Sequence, residues 1–188
     1  PPPPPPPPPP PFFFQAHAGI PDSVASRGLG DVYKRQNDEA IKLIKKDKFV
    51  PCIITPKNQT KGRGTMAKKW ISKKGNLFIS LFFEISSRNI KFDKFSVLNT
   101  RVIKSVLEKY SKYKISIKWP NYLLVKKRKL CGILQEVIQY KNKKFLIIGI
   151  GINTKISPKN KSFKSISLSA CSDRIIKNNE ILIKIKLV

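Results

Sequence analysis

The chain has 188 residues, of which 38 are Lys or Arg and 11 are Asp or Glu, so its formal net charge at pH 7 is +27. With 40% hydrophobic residues it can build one packed domain, and it contains no apolar run of about 18 residues that could span a bilayer. Three widely spaced cysteines and a single histidine, His17, argue against a disulfide framework, a zinc site and a histidine-based triad.

The positive charge has two interpretations. A strongly basic chain can be a nucleic-acid-binding protein that phosphate groups attract. Alternatively, lysine fills the solvated positions of an ordinary domain, and the even scatter of Lys along residues 41–186 favours this interpretation. Because basic and aromatic residues are not interleaved as in RNA-binding motifs, we expect no nucleic-acid partner and keep a basic nucleic-acid-binding module as an alternative.

The first 36 residues differ in composition from the rest. An unbroken proline run, Pro1 to Pro11, precedes a Gly-, Ser- and Arg-containing stretch without apolar periodicity, which is typical of disorder. The string Gly28 to Gln36 (GLGDVYKRQ) resembles adaptor-derived peptide at the ends of translated environmental reads. We therefore interpret residues 1–36 as a disordered sequencing artefact and expect the domain to occupy residues 37–188.

From Asn37 the apolar spacing predicts elements in a regular order. Asn37 can cap a helix, residues 50–55 indicate a short buried strand, and residues 77–84 alternate as a central strand does. Helical spacing over residues 93–110 predicts an amphipathic helix that lies across the sheet.

The second half of the chain predicts further strands. Residues 115–119 alternate, residues 122–125, 130–140 and 144–153 follow as strands, and residues 141–143 form a hairpin turn. A last helix is expected from about residue 178. This order predicts an α+β domain in which helices pack on a mixed, mostly antiparallel sheet.

One loop has the composition of an anion site. In the segment from Gln59 to Thr65 (QTKGRGT), glycines let backbone N–H groups approach an anion, and Arg63 can pair with it through two hydrogen bonds. Gly62, Gly64 and Ala67 also match a dinucleotide pattern, but no helix pattern follows them, so we reject that interpretation. A basic glycine loop alone is more often a solvated turn.

Three later strings change that view. They are Lys118 to Asn121 (KWPN), Lys129 to Glu136 (KLCGILQE) and Gly149 to Asn153 (GIGIN). Each motif alone is typical of a strand end followed by a turn. Their order and spacing after the glycine loop and Trp70 resemble those in the catalytic domain of the biotin protein ligases. The resemblance covers residues 37–188. The resemblance implies that family's α+β fold and a carbon–nitrogen bond-forming ligase, biotin–[acetyl-CoA-carboxylase] ligase.

The resemblance also implies an activity with its substrates and partner. Such a ligase adenylates biotin with ATP to biotinyl-5′-AMP and transfers biotin to a lysine of a biotin carboxyl carrier protein. Mg²⁺ would enter with ATP, without a site made of protein ligands alone. A cytoplasmic enzyme without a membrane partner is expected, and a homodimer is compatible with the resemblance.

Site residues carried over from the family fall into three groups. The catalytic residues are Lys129 and Arg63. The biotin-binding residues are Asn37, Gln59, Gly62, Arg63, Gly64, Thr65, Lys129 and Gly132. The ATP-binding residues are Trp70, Lys118, Asn121, Lys129 and Asn153.

The chain departs from the family pattern at four places. The Ser-Thr that usually precedes Asn37 is replaced by Arg35-Gln36, which we attribute to truncation, and the small C-terminal barrel of many members is missing. Thr65 stands where many members have an arginine that helps to retain the adenylate, so faster leakage of biotinyl-AMP is expected. Tyr122 replaces an aspartate, and an inactive fragment of the family is therefore kept as an alternative.

Overall fold

A six-stranded sheet with helices on both faces organises the computed structural model, which describes residues 32–33, 36–56, 58–65, 68–85, 92–160 and 163–186. The strands are β1 (Val32–Tyr33), β2 (Cys52–Ile54), β3 (Asn58–Gln59), β4 (Leu77–Ile85), β5 (Ile115–Lys118), β6 (Tyr122–Val125), β7 (Arg128–Tyr140) and β8 (Lys143–Ile152). The helices are α1 (Gln36–Lys45), α2 (Phe92–Glu108) and α3 (Asn178–Lys186), with a 3₁₀ turn at Ser169–Cys171. The predicted α+β class is confirmed.

The main sheet has the order β2-β4-β8-β7-β6-β5, and each neighbouring pair is antiparallel. Strand β4 lies between β2 and β8, which confirms that it is central. The parallel component is the separate two-stranded pair of β1 and β3. Between β7 and β8 the chain turns through Lys141 and Asn142, whose φ angles of 46° and 59° are those of a two-residue type I′ hairpin.

Alternate residues of the central strands face two separate cores. On one face, β4 and β8 side chains such as Ile79 and Ile148 pack against Val106 and Leu107 of α2 and Ile181 of α3. On the opposite face, Phe82, Phe145 and Ile147 pack against Ala40 and Ile44 of α1. Because side chains alternate along a strand, both faces of the sheet can be covered by helices, and each fully buried side chain stabilises the fold by about 1.5–3 kcal/mol.

Glycines interrupt the smaller core and create a depression. Along β8 the face that α1 covers passes from Phe145 and Ile147 to Gly149 and Gly151, and Gly151 pairs with Gly132 on β7. With no side chains at these positions, the sheet backbone is open to other groups. The depression lies beside the first turn of α1.

Two short segments of the first 36 residues are described. Val32–Tyr33 pairs with Asn58–Gln59, and α1 begins at Gln36, which is buried and whose Oε1 accepts a hydrogen bond from Gln59 Nε2. The prediction that Asn37 caps this helix is wrong, because Asn37 lies inside α1 and its amide is hydrogen-bonded to Glu136 and Ser80. The domain boundary at residue 37 stays a prediction. The proline run lies outside the described residues.

No helix in the described part of the chain is both long and apolar enough to cross a bilayer. None of the three cysteines forms a disulfide bond, and Cys131 and Cys171 are buried.

Candidate functional site

A cleft of about 50 Å³ lies over the glycine depression. Its walls come from the first turn of α1, the loop between β3 and β4, and the edges of β6, β7 and β8. Residues that sequence analysis singled out and that line it are Asn37, Gln59, Arg63, Gly64, Trp70, Asn121 and Gly132. Segments distant in the chain thus meet at one place.

The indole of Trp70 rests on the glycine floor. A Cβ added to Gly132 would lie 2.6 Å from Trp70 Cζ3, and one added to Gly151 would lie 2.7 Å from Cε2. Real Cβ atoms do not come so close to neighbours, so both glycines are needed for the ring to lie there. Trp70 Nε1 is buried and has no hydrogen-bond partner among the described residues. The ring thus occupies space that a ligand contacting Gly132 would need.

Asn37 connects α1 to the sheet next to the cleft. Its Nδ2 donates a hydrogen bond to Glu136 Oε2 at 2.7 Å, and its Oδ1 accepts one from Ser80 Oγ. The side chain is buried against Gly149, where a Cβ would lie 2.5 Å from Oδ1. Both ends of the amide are therefore satisfied in a space that only glycine leaves open.

Backbone contacts fold the basic loop over the cleft. Gly64 N donates to Lys68 O at 2.7 Å and Trp70 N donates to Gly62 O at 2.9 Å, so the loop doubles back and carries Trp70 onto the sheet. Gly62 is buried, and a Cβ there would lie 2.7 Å from Trp70 O. The hairpin-like loop therefore depends on a glycine at position 62.

Two side chains of this loop are anchored within the cleft. Arg63 Nη2 forms an ion pair with Glu136 Oε1, the carboxylate that also accepts from Asn37. Gln59 Oε1 accepts a hydrogen bond from Ser72 Oγ at 2.5 Å. An anionic ligand that bound Arg63 would have to displace the Glu136 carboxylate or share the guanidinium group with it.

A β-bulge directs Lys129 toward the cleft. Leu123 pairs with Cys131, but Leu124 pairs with Lys129, so Leu130 is an extra residue on β7. Leu130 and Cys131 consequently both enter the larger core, and Lys129 joins the face of Gly132. Bulges commonly re-aim a side chain in this way next to functional sites.

The ammonium of Lys129 lies among aromatic rings. Its Nζ is 3.6 Å from the ring centroid of Tyr122, 4.7 Å from that of Trp70 and 4.9 Å from that of Phe163. Burial lowers the pKa of Lys129 to about 8, and the positive charges of Lys68 and Lys118 act in the same direction. Burial also raises the pKa of the Cys131 thiol to about 12, so the thiol is neutral and unsuited as a nucleophile.

Asn153 holds the backbone of Lys129 through a hydrogen bond. Its Nδ2 donates to Lys129 O at 3.1 Å, and its Oδ1 accepts from Asn76 Nδ2 at 3.4 Å. Lys129 N donates to Lys164 O at 2.9 Å, and Lys129 O also accepts from Ile166 N at 3.0 Å. These contacts engage the Asn153 amide within the protein and give it a positioning role at the start of β7.

The end of β5 and the start of β6 form the remaining wall. Asn121 is buried, and its Nδ2 donates to Thr65 Oγ1 and to Ile133 O, both at 3.2 Å. Thr65 therefore lies beside the residue that precedes Tyr122. Two of the four departures from the family pattern, Thr65 and Tyr122, thus lie on either side of the same asparagine contact.

Of the site residues predicted from the sequence, those that line the cleft are Asn37, Gln59, Arg63, Gly64, Trp70, Asn121 and Gly132. The others are outside its lining: Gly62, Thr65, Lys118, Lys129 and Asn153. Lys129 contacts the lining rings of Trp70 and Tyr122, whereas Lys118 is the last residue of β5. Sequence analysis assigned no role to Glu136, which joins Asn37 to Arg63, although it shares the strand face of Gly132 by alternation. Ser80 and Phe163 carried no recognisable signal because their partners are distant in sequence. Within the described ranges no group of three or more His, Cys, Asp or Glu residues is arranged to hold a metal ion.

The arrangement is suited to an anionic ligand with a flat ring system. Arg63 and Lys129 supply positive charge, and the glycine floor allows close approach to the sheet. These two cations can stabilise negative charge between bound groups.

A family model and two similar proteins point to the same family. The model of the "Biotin/lipoate A/B protein ligase family" matches residues 29–153. The "Bifunctional ligase/repressor BirA" of Escherichia coli K12 is 36% identical over 97 residues, which are 50% of this chain and 30% of that protein. "Biotin--protein ligase 2" of Arabidopsis thaliana is 31% identical over 131 residues, which are 66% of this chain and 40% of that protein. The match to BirA thus spans about a third of that relative's length.

Solved structures show the same fold. The biotin protein ligase of Aquifex aeolicus, in complex with biotin and ATP, has a TM-score of 0.60 and 27% identity over 72% of this chain and 57% of that chain. The Leishmania major enzyme in complex with biotinyl-5-AMP has a TM-score of 0.67 over 82% of this chain and 69% of that chain. At 22% identity, the second likeness concerns the fold alone.

Proposed function

Since the chain belongs to the biotin/lipoate A/B protein ligase family, we propose that it activates biotin with ATP as biotinyl-5′-AMP and transfers the biotinyl group to a lysine of a biotin carboxyl carrier protein. The activity is that of a biotin–[acetyl-CoA-carboxylase] ligase. Relatives named for this activity, including a plant biotin–protein ligase and an Aquifex enzyme solved with biotin and ATP, support the proposal.

The observation that carries the proposal is the convergence of two cations on one glycine-floored cleft. Arg63 lines the cleft, and Lys129 Nζ contacts the rings of two further lining residues, Trp70 and Tyr122. Adenylation brings a carboxylate against a polyphosphate, and the repulsion between them is the main obstacle to reaction. Two cations at one cleft fit that requirement.

In the first step, a carboxylate oxygen of biotin attacks the α-phosphorus of ATP. The new bond joins that oxygen to phosphorus, the bond between the α-phosphorus and the bridging oxygen breaks, and pyrophosphate leaves with the electron pair. The carboxylate is already ionised at neutral pH, so no protein base is required. Lys129 and Arg63 stabilise the negative charge and align the two reactants.

In the second step, the neutral amine of a carrier lysine attacks the acyl carbon of the mixed anhydride. The amide bond forms, the bond between acyl carbon and phosphate oxygen breaks, and AMP leaves. The amine loses a proton to solvent during the reaction. The absence of a histidine from residues 37–188 is consistent with this chemistry because AMP is a good leaving group.

The remaining residues are assigned from the resemblance to the family. We assign Asn37, Gln59, Gly62, Gly64, Thr65 and Gly132 to the biotin side, and Trp70, Lys118, Asn121 and Asn153 to the ATP side. For Asn153 the contribution is to position Lys129, because its amide is held by Lys129 O and Asn76. Binding also requires Trp70 to move from the floor that it occupies.

Mg²⁺ would be bound through the phosphate oxygens of ATP, because the described residues provide no acidic cluster of their own. When bound it neutralises phosphate charge. We also propose a cytoplasmic location, as expected for an enzyme that uses ATP and modifies a carboxylase subunit. The nucleic-acid-binding alternative is supported by the net charge alone.

The test is biotin-dependent exchange of labelled pyrophosphate into ATP by the full 188-residue chain. We expect exchange in the parent and a loss of about 100-fold or more in Lys129→Ala. Lys127→Ala is the matched control, since Lys127 is exposed in the same hairpin, and it should retain the parent rate. Carrier labelling is then measured with a biotin carboxyl carrier domain.

Two outcomes would contradict the proposal. A folded parent without exchange would favour the inactive-fragment alternative, and recovery of exchange in Tyr122→Asp would then locate the defect at Tyr122. Full activity in Lys129→Ala would remove Lys129 from the mechanism.

A further inference from the structure

We infer that Tyr122 is a positioning residue for Lys129, and that its ring, together with those of Phe163 and Trp70, forms an aromatic cage that holds the ammonium group at the cleft in place of a carboxylate. The role of the cage in catalysis depends on the proposed function. The existence of the cage does not, and it can be tested without substrates.

The geometry of the sheet brings the cage together. Residues 122 and 124 of β6 share a face by alternation, and the bulge at Leu130 pairs Leu124 with Lys129. Tyr122 and Lys129 therefore project to the same side of neighbouring strands, where Nζ lies 3.6 Å from the Tyr122 ring centroid. Phe163, at 4.9 Å, comes from the segment that runs beside the start of β7.

The charged surroundings of Lys129 explain why such a cage is needed. None of the ion pairs between described residues includes Lys129. The neighbouring groups that act on its charge are Lys68 of the loop, Lys118 of β5 and Cys131 of β7, and both lysines disfavour another cation. Aromatic faces within about 6 Å of a cation attract it through their negative π-surface. Cys131 favours the charged form of Lys129, and the three rings lie where they can offset its burial as well.

Aromatic rings and a carboxylate differ in how they leave Lys129 able to bind an incoming anion. A carboxylate would form an ion pair with Nζ, and an incoming anion would have to compete with it. Aromatic rings hold the cation without neutralising it, so its N–H groups stay available to carboxylate or phosphate oxygens. The contact of Tyr122 with Nζ therefore gives this tyrosine a role that a carboxylate at the same position would not have.

The experiment measures the protonation of Lys129 in the full 188-residue chain without biotin or ATP. The lysine is pulse-labelled with acetic anhydride at a series of pH values, and its acetylation is quantified by mass spectrometry. Tyr122→Leu, which removes the ring, is compared with Tyr122→Phe, which keeps it. Phe163→Leu removes a second ring of the cage. Thermal unfolding confirms that each variant folds as the parent does.

We expect Tyr122→Leu to lower the midpoint pH of Lys129 labelling by about half a unit, because the lost attraction disfavours the charged form. Tyr122→Phe should keep the parent midpoint, and Phe163→Leu should shift it in the same direction as Tyr122→Leu. Tyr122→Asp should raise the midpoint through ion pairing and, in pyrophosphate exchange, raise the KM for biotin several-fold.

A Tyr122→Leu midpoint equal to that of the parent, in a folded variant, would overturn the cage. So would exchange that improves in Tyr122→Asp. A shifted midpoint in a chain without exchange would support the cage and contradict the proposed function, so the two failures are distinguishable.

Discussion

Gly149 leaves the space in which the amide of Asn37 lies against β8, and a Cβ on Gly149 would be 2.5 Å from Asn37 Oδ1. The same amide is hydrogen-bonded to Ser80 on β4 and to Glu136 on β7. One side chain in the first turn of α1 is therefore tied to three adjacent strands. This junction forms one wall of the cleft, so changes there should affect stability and ligand binding together.

The Asn37–Gly149 contact predicts a coupling that a double-mutant cycle can measure. Gly149→Ala should lower the free energy of unfolding by about 1–3 kcal/mol, because the added methyl displaces the amide. In an Asn37→Ala background the obstruction is gone, so the same change should cost at least about 0.5 kcal/mol less. Urea unfolding of the four proteins gives the coupling, and additive effects would contradict the contact.

Glu136 is expected to stabilise the loop that covers the cleft. Glu136→Gln removes the ion pair to Arg63 and should cost about 1–2 kcal/mol, because the pair is partly buried and shares Asn37. Glu84→Gln is the control, since its ion pair with Lys143 is exposed and should contribute less than about 1 kcal/mol. Equal effects of the two substitutions in urea unfolding would show that Glu136 has no special role.

The position of Trp70 can be followed by its fluorescence. In a Trp119→Phe background, the remaining indole should emit at shorter wavelength than an exposed tryptophan because it is packed on the sheet. Gly132→Ala should displace the ring and shift its emission to longer wavelength. Gly64→Ala is a milder comparison and should shift the emission less, since a Cβ there would lie 3.3 Å from Lys68 O, which is a tight contact but longer than the 2.6 Å at Gly132. Unchanged emission in Gly132→Ala would contradict the placement of the ring.

Lys129 should make adenylation fall at alkaline pH. Its pKa is lowered from 10.5 to about 8 by burial, so above pH 8 it loses the charge that the reaction needs. The exchange rate should fall about tenfold per pH unit there. Lys129→Arg keeps its charge over this range and should lose the alkaline decline, even if its rate is lower. A parent profile that stays flat to pH 9.5 would argue against a catalytic cation at this position.

The same lowered pKa predicts a pH effect on folding. In the unfolded chain the lysine keeps its proton to about pH 10.4, whereas in the folded chain it loses the proton near pH 8. The unfolded state thus binds more protons between these values, and the contribution of Lys129 to the free energy of unfolding rises with pH. Relative to Lys129→Met, the parent should gain stability from pH 8 to 10. A constant difference would contradict burial of the ammonium.

Thr65 is expected to make the site leak its intermediate. The side chain is short, uncharged and hydrogen-bonded to Asn121 Nδ2, so it provides no cation for the adenylate phosphate. Thr65→Arg should slow the release of biotinyl-AMP, measured by rapid filtration, by about tenfold, as one charge-assisted hydrogen bond allows. Thr65→Gln provides a long neutral control and should release at the parent rate. Equal rates for Thr65→Arg and the parent would end this hypothesis.

The local sequence was sufficient to predict the long elements after residue 36, but not the short strands β1 and β3. The alternation of β4 and the helical spacing of α2 gave both elements to within about two residues, because periods of two and 3.6 residues are properties of the local chain. Seven of the predicted site residues line the cleft. The resemblance of the motifs to a family supplied the roles that spacing alone does not.

Tertiary structure decided how those residues meet. The bulge that turns Lys129 toward Tyr122, the resting place of Trp70 and the ion pair of Arg63 with Glu136 each join segments far apart in the chain. Sequence periodicity determines which way a side chain points within its own element. What the side chain contacts depends on strand register, on backbone irregularities and on packing between distant segments. These features form only when the whole sheet assembles.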